Sequence, residues 1–256
     1  MKDKYYGFIA GLISGDTNIL SKQRGYSDNT AIFLLVLDCY LNDTTGSINI
    51  FEKISELYKD KAKSKYASCI SYKTIKPSLY AGINAAHSNV IQETNNDDYS
   101  VIFRAIVPFL LIKFKKDTFE ASDFAIMALT HTMQINYISI IFLCKLFNLI
   151  FMDKTKVELY KFINVHYSEF ILSLPIPENT YSNIIEVIRG AVKIFYESDS
   201  YSAGYNLCIK PEIRAVYGML AGAYYGFKAL HRENHVKLDA GIMEIINRGY
   251  NVITKL

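Results

Sequence analysis

Apolar residues recur three and four positions apart along most of the chain, and few stretches alternate with period two. In "SINIFEKISELYKDKAKSKY" and "TYSNIIEVIRGAVKIFY" the apolar positions fall on one helical stripe. Only 5 prolines punctuate the 256 residues, so the pattern predicts an all-α protein. It places helices at residues 3–15, 28–42, 47–60, 74–86, 100–114, 120–131, 135–151, 155–170, 179–196, 211–229 and 238–254. The segments "NDTTGS", "ETNNDD", "LPIPENT" and "ESDSYSAGYN" carry helix breakers and read as loops. No composition shift and no internal repeat divides the chain, so residues 1–256 read as one domain.

Two helices carry stripes of small residues. Gly7, Gly11 and Gly15 lie on one face of the first, and Gly218, Gly222 and Gly226 follow the same spacing near the C-terminus. A glycine inside a helix costs about 1 kcal/mol relative to alanine, and a close helix contact is the return that offsets it. The two terminal helices are therefore expected to meet inside the bundle.

Composition narrows the function classes. Half of the residues are apolar and the formal charge is +3, with lysines dispersed over many segments. That is too weak and too scattered for a nucleic-acid surface. The N-terminal "MKDKYYGFIAGLISGD" has a basic start but no small-x-small cleavage site, and reads as a mature helix. "NYISIIFLCKLFNLIFM" is broken by Lys145 and Asn148, so it reads as a core helix and no membrane span is expected. Cys39, Cys69, Cys144 and Cys208 are far apart and read as free thiols of a reducing compartment, which makes the cytoplasm (host cytoplasm, if the source is viral) the expected location. His231 and His235 are four residues apart without an acidic partner motif, and read as a solvated helix end. Abundant Ile, Lys, Asn and Tyr and the absence of Trp fit an AT-rich genome and carry no information on activity.

The candidate chemistry starts at "RGYSDNTAIFLLVLDCYL". Ser27-Asp28-Asn29-Thr30 stands directly before an apolar run, where Ser27 or Asp28 serves as a helix cap. In company with four other segments this stretch resembles the ADP-ribosylglycohydrolase family. "GFIAGLISGDTNI" is similar to that family's first helix, and "YSDNTAIF" to its Trp-Thr-Asp-Asp-Thr helix start. "VIFRAIVPFLL", with Arg104 and Pro108, looks like its Met-Arg-x-x-Pro-Leu segment. "ALTHTMQ", with Thr130 and His131, is similar to its Thr-His element, and "AVYGMLAGAYYGFKAL" to the end of its last long motif. The five occur in the family's order across nearly the whole chain.

The resemblance implies a single-domain orthogonal helical bundle, with a central cleft that holds two magnesium ions and cleaves ADP-ribose from its attachment. It also shows where this chain departs from the pattern. The acidic residue expected between Asp16 and Ser27 is missing from "TNILSKQRGY". Asn29 stands where the second aspartate of the triplet belongs. Counting back from Gly218, the late Asp-Thr-Asp-Thr falls on Ile209, Lys210, Pro211 and Glu212. Two Mg²⁺ ions bring four positive charges, and about five carboxylates answer them in the family. Here Asp28 remains, with Glu212 as a second candidate ligand, beside a lysine.

The expectation is a relative without two-metal hydrolysis and without a required cofactor, Mg²⁺ entering only if Asp28 and Glu212 still hold it. Its ligand would be ADP-ribose or a related nucleotide, bound or sequestered in the former cleft. Ser27, Asp28, Asn29, Tyr99, Ser100, Arg104, His131, Lys210, Glu212 and Arg214 are the candidate binding residues. Lys210, Arg104 and Arg214 would supply the positive charge that magnesium gives in the family. Tyr99 would narrow the cleft or stack on a base. Arg104 has a bland alternative as a buried arginine satisfying carbonyls, and His131 one as a core histidine. Asp16 reads as a cap of the next turn. The competing readings are a hydrolase with altered chemistry using Asp28 as its catalytic carboxylate, and a structural or protein-binding role, with a protein partner or a second copy of the chain.

Overall fold

The computed structural model describes residues 1–17, 26–42, 50–59, 99–112, 134–172, 184–232 and 238–254. Every regular element among them is helical: α1 (Lys2–Asp16), α2 (Asp28–Asn42), α3 (Ile50–Lys59), α4 (Val101–Ile112), α5 (Gln134–Phe151), α6 (Lys156–Leu172), α7 (Ile184–Glu197), α8 (Tyr201–Leu207), α9 (Pro211–Tyr225), α10 (Phe227–Arg232) and α11 (Ala240–Thr254). One isolated antiparallel bridge joins Thr17 to Tyr26. The all-α expectation holds. The helices expected at 74–86 and 120–131 lie outside the described residues. No described helix is long and apolar enough to cross a membrane.

Contacts divide the chain into two compact units. One comprises Met1–Gly15 and Ile141–Lys237, the other Asp16–Ile140 and Leu238–Leu256. In the first, α1 lies directly on α9 through the two glycine stripes. A Cβ on Gly11 would stand 1.9 Å from the Gly218 carbonyl oxygen, and one on Gly7 would stand 2.1 Å from that of Gly222. The backbones are in contact, as the sequence stripes require. Around this seam, α7 turns Ile184, Val187, Ile188, Ala191, Val192 and Phe195 inward, an i, i+3, i+4, i+7 pattern that packs on α9. Phe8 of α1 meets Phe147 of α5 edge-on, with ring centroids 4.7 Å apart.

Lys156 closes the C-terminal end of α7. Its ammonium donates to the carbonyls of Phe195 (2.6 Å) and Ser198, over the rings of Phe195 and Tyr225. A cation at a helix C-terminus satisfies orphan carbonyls and the helix dipole together. At the start of α6, Thr155 and Glu158 form a reciprocal capping box. The Glu158 carboxylate accepts from the Thr155 amide at 2.8 Å, and Thr155 Oγ1 accepts from the Glu158 amide at 3.3 Å.

Two sequence readings need correction. The segment "ESDSYSAGYN" is not all loop, because α8 forms within it. Ser200 caps that helix by accepting from the Ala203 amide, and Tyr201 and Tyr205, one turn apart, are both buried. Glycine, serine and asparagine hide it from a propensity reading, and the two tyrosines are what fix it. The expected helix 211–229 is two helices, α9 and α10, broken at Gly226 with φ of 86°. A side chain there would be strained, and its Cβ would meet the Asp3 carboxylate at 2.0 Å. Asp3 in turn accepts from the Lys228 amide in the first turn of α10.

In the second unit α2 is the centre, packed against α3, α4 and α11. Ile32, Phe33, Leu34, Val36 and Leu37 are buried. Arg248 of α11 pairs with Asp38 of α2 at 2.9 Å and also donates to Asn42. Asp239 caps α11 by accepting from the Ile242 amide at 2.8 Å.

Candidate functional site

Among the described residues of the second unit, a polar cluster is built on Asp16, the last residue of α1. The Thr17–Tyr26 bridge brings the chain back antiparallel to itself and so delivers Ser27 and the start of α2 to this carboxylate. One oxygen, Oδ2, accepts from the amides of Ser27 (3.0 Å) and Thr30 (3.1 Å). The other, Oδ1, accepts from the Ser27 hydroxyl (2.6 Å) and from the Asn29 side-chain amide (3.2 Å). Ser27 is the N-cap of α2: its carbonyl receives the Ala31 amide, and its hydroxyl oxygen the Asn29 amide at 3.3 Å. Asp16 thus caps α2 from outside it. Burial pushes its carboxyl above the ordinary value, while the hydrogen bonds from Ser27, Thr30 and Asn29 pull it back.

This geometry explains the amide at position 29. An aspartate there would set a second carboxylate about 3 Å from Asp16, a repulsive pair unless a proton or a cation lay between them. Asparagine turns the repulsion into a hydrogen bond. Among the described residues, Ser27, Asn29 and Thr30 supply the donors that Asp16 accepts from. A divalent pair needs oxygen ligands with several free lone pairs and negative charge to match. Asp16 has both oxygens engaged, and Asn29 presents its N–H side to the carboxylate. These residues do not fit the two-metal group.

Asp28 opens α2, and its side chain lies outside the described residues, as does the whole of His131. Tyr99 and Ser100 stand at the start of α4, where their carbonyls receive the amides of Ile102 and Phe103. Ser100 is buried and Tyr99 partly exposed. Arg104, one turn into α4, is fully buried with 0% exposure, and the neighbouring Phe103 and Ala105 are buried with it.

The remaining candidates belong to the first unit and share the first turn of α9. Lys210 is the N-cap residue, with no side-chain cap hydrogen bond, and Pro211 occupies the first turn, where its missing N–H costs nothing. Glu212 follows in that turn, where an acid suits the helix dipole. Arg214 lays its guanidinium 5.4 Å from the centre of the Tyr205 ring. The Tyr205 hydroxyl donates to the Ser14 carbonyl at 3.3 Å, and Tyr201 reaches the Gly11 carbonyl at 3.4 Å. Cys208, just before this turn, is buried, and burial raises its thiol to about 12 against the opposing pull of Arg214. Cys39 and Cys144 are also buried, and neither forms a disulfide among the described residues. Within each unit, the structure therefore gathers Ser27 and Asn29 around Asp16, and Lys210, Glu212 and Arg214 on one turn. Asp16 is the residue that sequence reasoning undervalued; the signal was its place between a glycine helix and a Ser-Asp-Asn cap.

No family model matches the chain, and no curated protein matches it in sequence. Among solved structures it is similar to an "ADP-ribosylglycohydrolase-related protein complex", with a TM-score of 0.73 over 98% of each chain at 15% identity. The chain has an ADP-ribosylglycohydrolase-like fold, the class that the five ordered segments indicated.

Proposed function

We propose that this protein is a metal-independent relative of the ADP-ribosylglycohydrolases, one that binds ADP-ribose or a related nucleotide without two-metal hydrolysis. The observation that carries this reading is the hydrogen bond from the Asn29 amide to Asp16. It replaces, with a neutral donor, the charge compensation that a cation would otherwise supply between two carboxylates. The full-length likeness in fold supports a nucleotide as the ligand class, and Lys210 and Arg214 offer cationic groups for a diphosphate.

Calorimetric titration with ADP-ribose in the presence of EDTA tests this. Saturable binding that is unchanged when Mg²⁺ replaces EDTA is the expected result. Absence of binding in both buffers would remove the nucleotide reading. Release of ADP-ribose from a modified arginine or serine peptide, abolished by Asp28→Ala, would show that hydrolysis persists.

A further inference from the structure

A guanidinium in the first turn of α9 stands without a counter-charge. Arg214 is partly exposed, and its Nε is buried with no hydrogen-bond acceptor. Among the described residues no carboxylate forms an ion pair with it. Other partly buried cations are answered: Lys4 by Asp153 and the Ile150 carbonyl, Lys156 by two carbonyls, and Arg248 by Asp38.

The groups described around Arg214 are neutral. The Tyr205 ring lies 5.4 Å from the guanidinium, and the Tyr205 hydroxyl takes a hydrogen bond from it. Burial holds both that hydroxyl and the Cys208 thiol above their ordinary values, so neither supplies a negative charge. Helix α8, which carries Tyr205, contains no acidic residue. Glu212 stands two positions earlier on α9, and residues two apart on a helix do not face each other. A charge drawn partly out of water costs free energy unless an opposite charge meets it. The platform under the guanidinium is fixed, because Tyr205 donates to the Ser14 carbonyl at 3.3 Å. A planar fork held in this way suits a phosphate group, which it binds through paired N–H donors.

We infer that Arg214 is the anion-binding residue of this protein and that its guanidinium holds a phosphate of the nucleotide's diphosphate. The inference rests on the nucleotide reading given above and deepens it, by naming the side chain whose charge that ligand would neutralise.

The test titrates ADP-ribose and inorganic pyrophosphate, both in EDTA, into the wild type, Arg214→Gln, Arg214→Lys and Lys193→Gln. Lys193 is an exposed cation of the same unit, so its variant removes one positive charge elsewhere. Arg214→Gln should bind about tenfold more weakly or worse, the usual effect of losing a charged hydrogen bond. Arg214→Lys should fall between Arg214→Gln and the wild type, and Lys193→Gln should match the wild type. Without ligand, the unfolding midpoint of Arg214→Gln should equal or exceed that of the wild type, since an unanswered charge has gone; a purely structural arginine would lower it. Wild-type affinity in Arg214→Gln, for whichever ligand binds, would overturn the inference. A wild type that takes pyrophosphate but not ADP-ribose, with Arg214→Gln weaker, would overturn the nucleotide reading and keep the anion site. A wild type that binds neither would overturn both.

Discussion

Replacing Asp16 with alanine is expected to destabilise the protein by about 4 kcal/mol, enough to unfold the second unit near room temperature. Among the described residues the carboxylate receives four hydrogen bonds, from the amides of Ser27 and Thr30, the Ser27 hydroxyl and the Asn29 side chain. All four donors lie in a part-buried or buried setting, and each buried donor left without an acceptor costs roughly 1–3 kcal/mol. Asp16→Asn is not a mild alternative. Its single oxygen would serve one pair of donors, and its NH₂ group would face the other pair. Chemical denaturation followed by circular dichroism checks this: the midpoints of both variants should fall steeply, with Asp16→Ala the lower. A midpoint within experimental error of wild type for either would mean that the cap on α2 is formed in some other way.

Gly218→Ala should be comparably damaging, also by about 4 kcal/mol, for an unrelated reason. The added methyl would sit 2.0 Å from the Gly11 carbonyl oxygen, and α1 and α9 would have to separate by more than 1 Å to admit it. The obstacle is backbone, so no rotamer change can relieve it. Gly241→Ala is the matched contrast: its nearest neighbour is a carboxylate oxygen at 3.4 Å, at the solvent-facing start of α11, and the variant should be near neutral. The same chemical denaturation measurement reads both. Equal midpoints for the two variants would contradict the close-packed seam.

Helices whose stripe repeats without interruption were legible from sequence to within a few residues. The reading placed α2 at 28–42, which is where Asp28–Asn42 runs. It set α5 at 135–151 and α6 at 155–170, against Gln134–Phe151 and Lys156–Leu172. The seam between α1 and α9 was legible too, because glycine spacing is itself a steric statement. What was not legible depended on partners distant in sequence. The short helix α8 has weak propensity and is held by Tyr201 and Tyr205 against α1 and by Tyr217, whose hydroxyl donates to the Tyr201 carbonyl at 2.8 Å. The break at Gly226 comes from a left-handed backbone angle that a long apolar helix pattern conceals.

The candidate site divides in the same way. Asn29 for aspartate was visible as a loss of charge, but its positive role was not. That role needs Asp16, 13 residues earlier, at hydrogen-bond distance. Lys210 at the start of α9 was likewise visible as a cation in place of a ligand, whereas the placement of Arg214 over Tyr205 required the short helix that the sequence concealed. The family resemblance supplied the frame, and the geometry changed the meaning of its departures: Asn29 donates to Asp16 where an aspartate would set a second charge beside it.

The most direct test of the proposed metal independence is the unfolding midpoint of the wild-type protein measured in EDTA and then in rising millimolar Mg²⁺. A ligand bound by the folded state alone raises stability by an amount that grows with its concentration. The account predicts one midpoint across the series; a midpoint that climbs steadily with Mg²⁺ would contradict it.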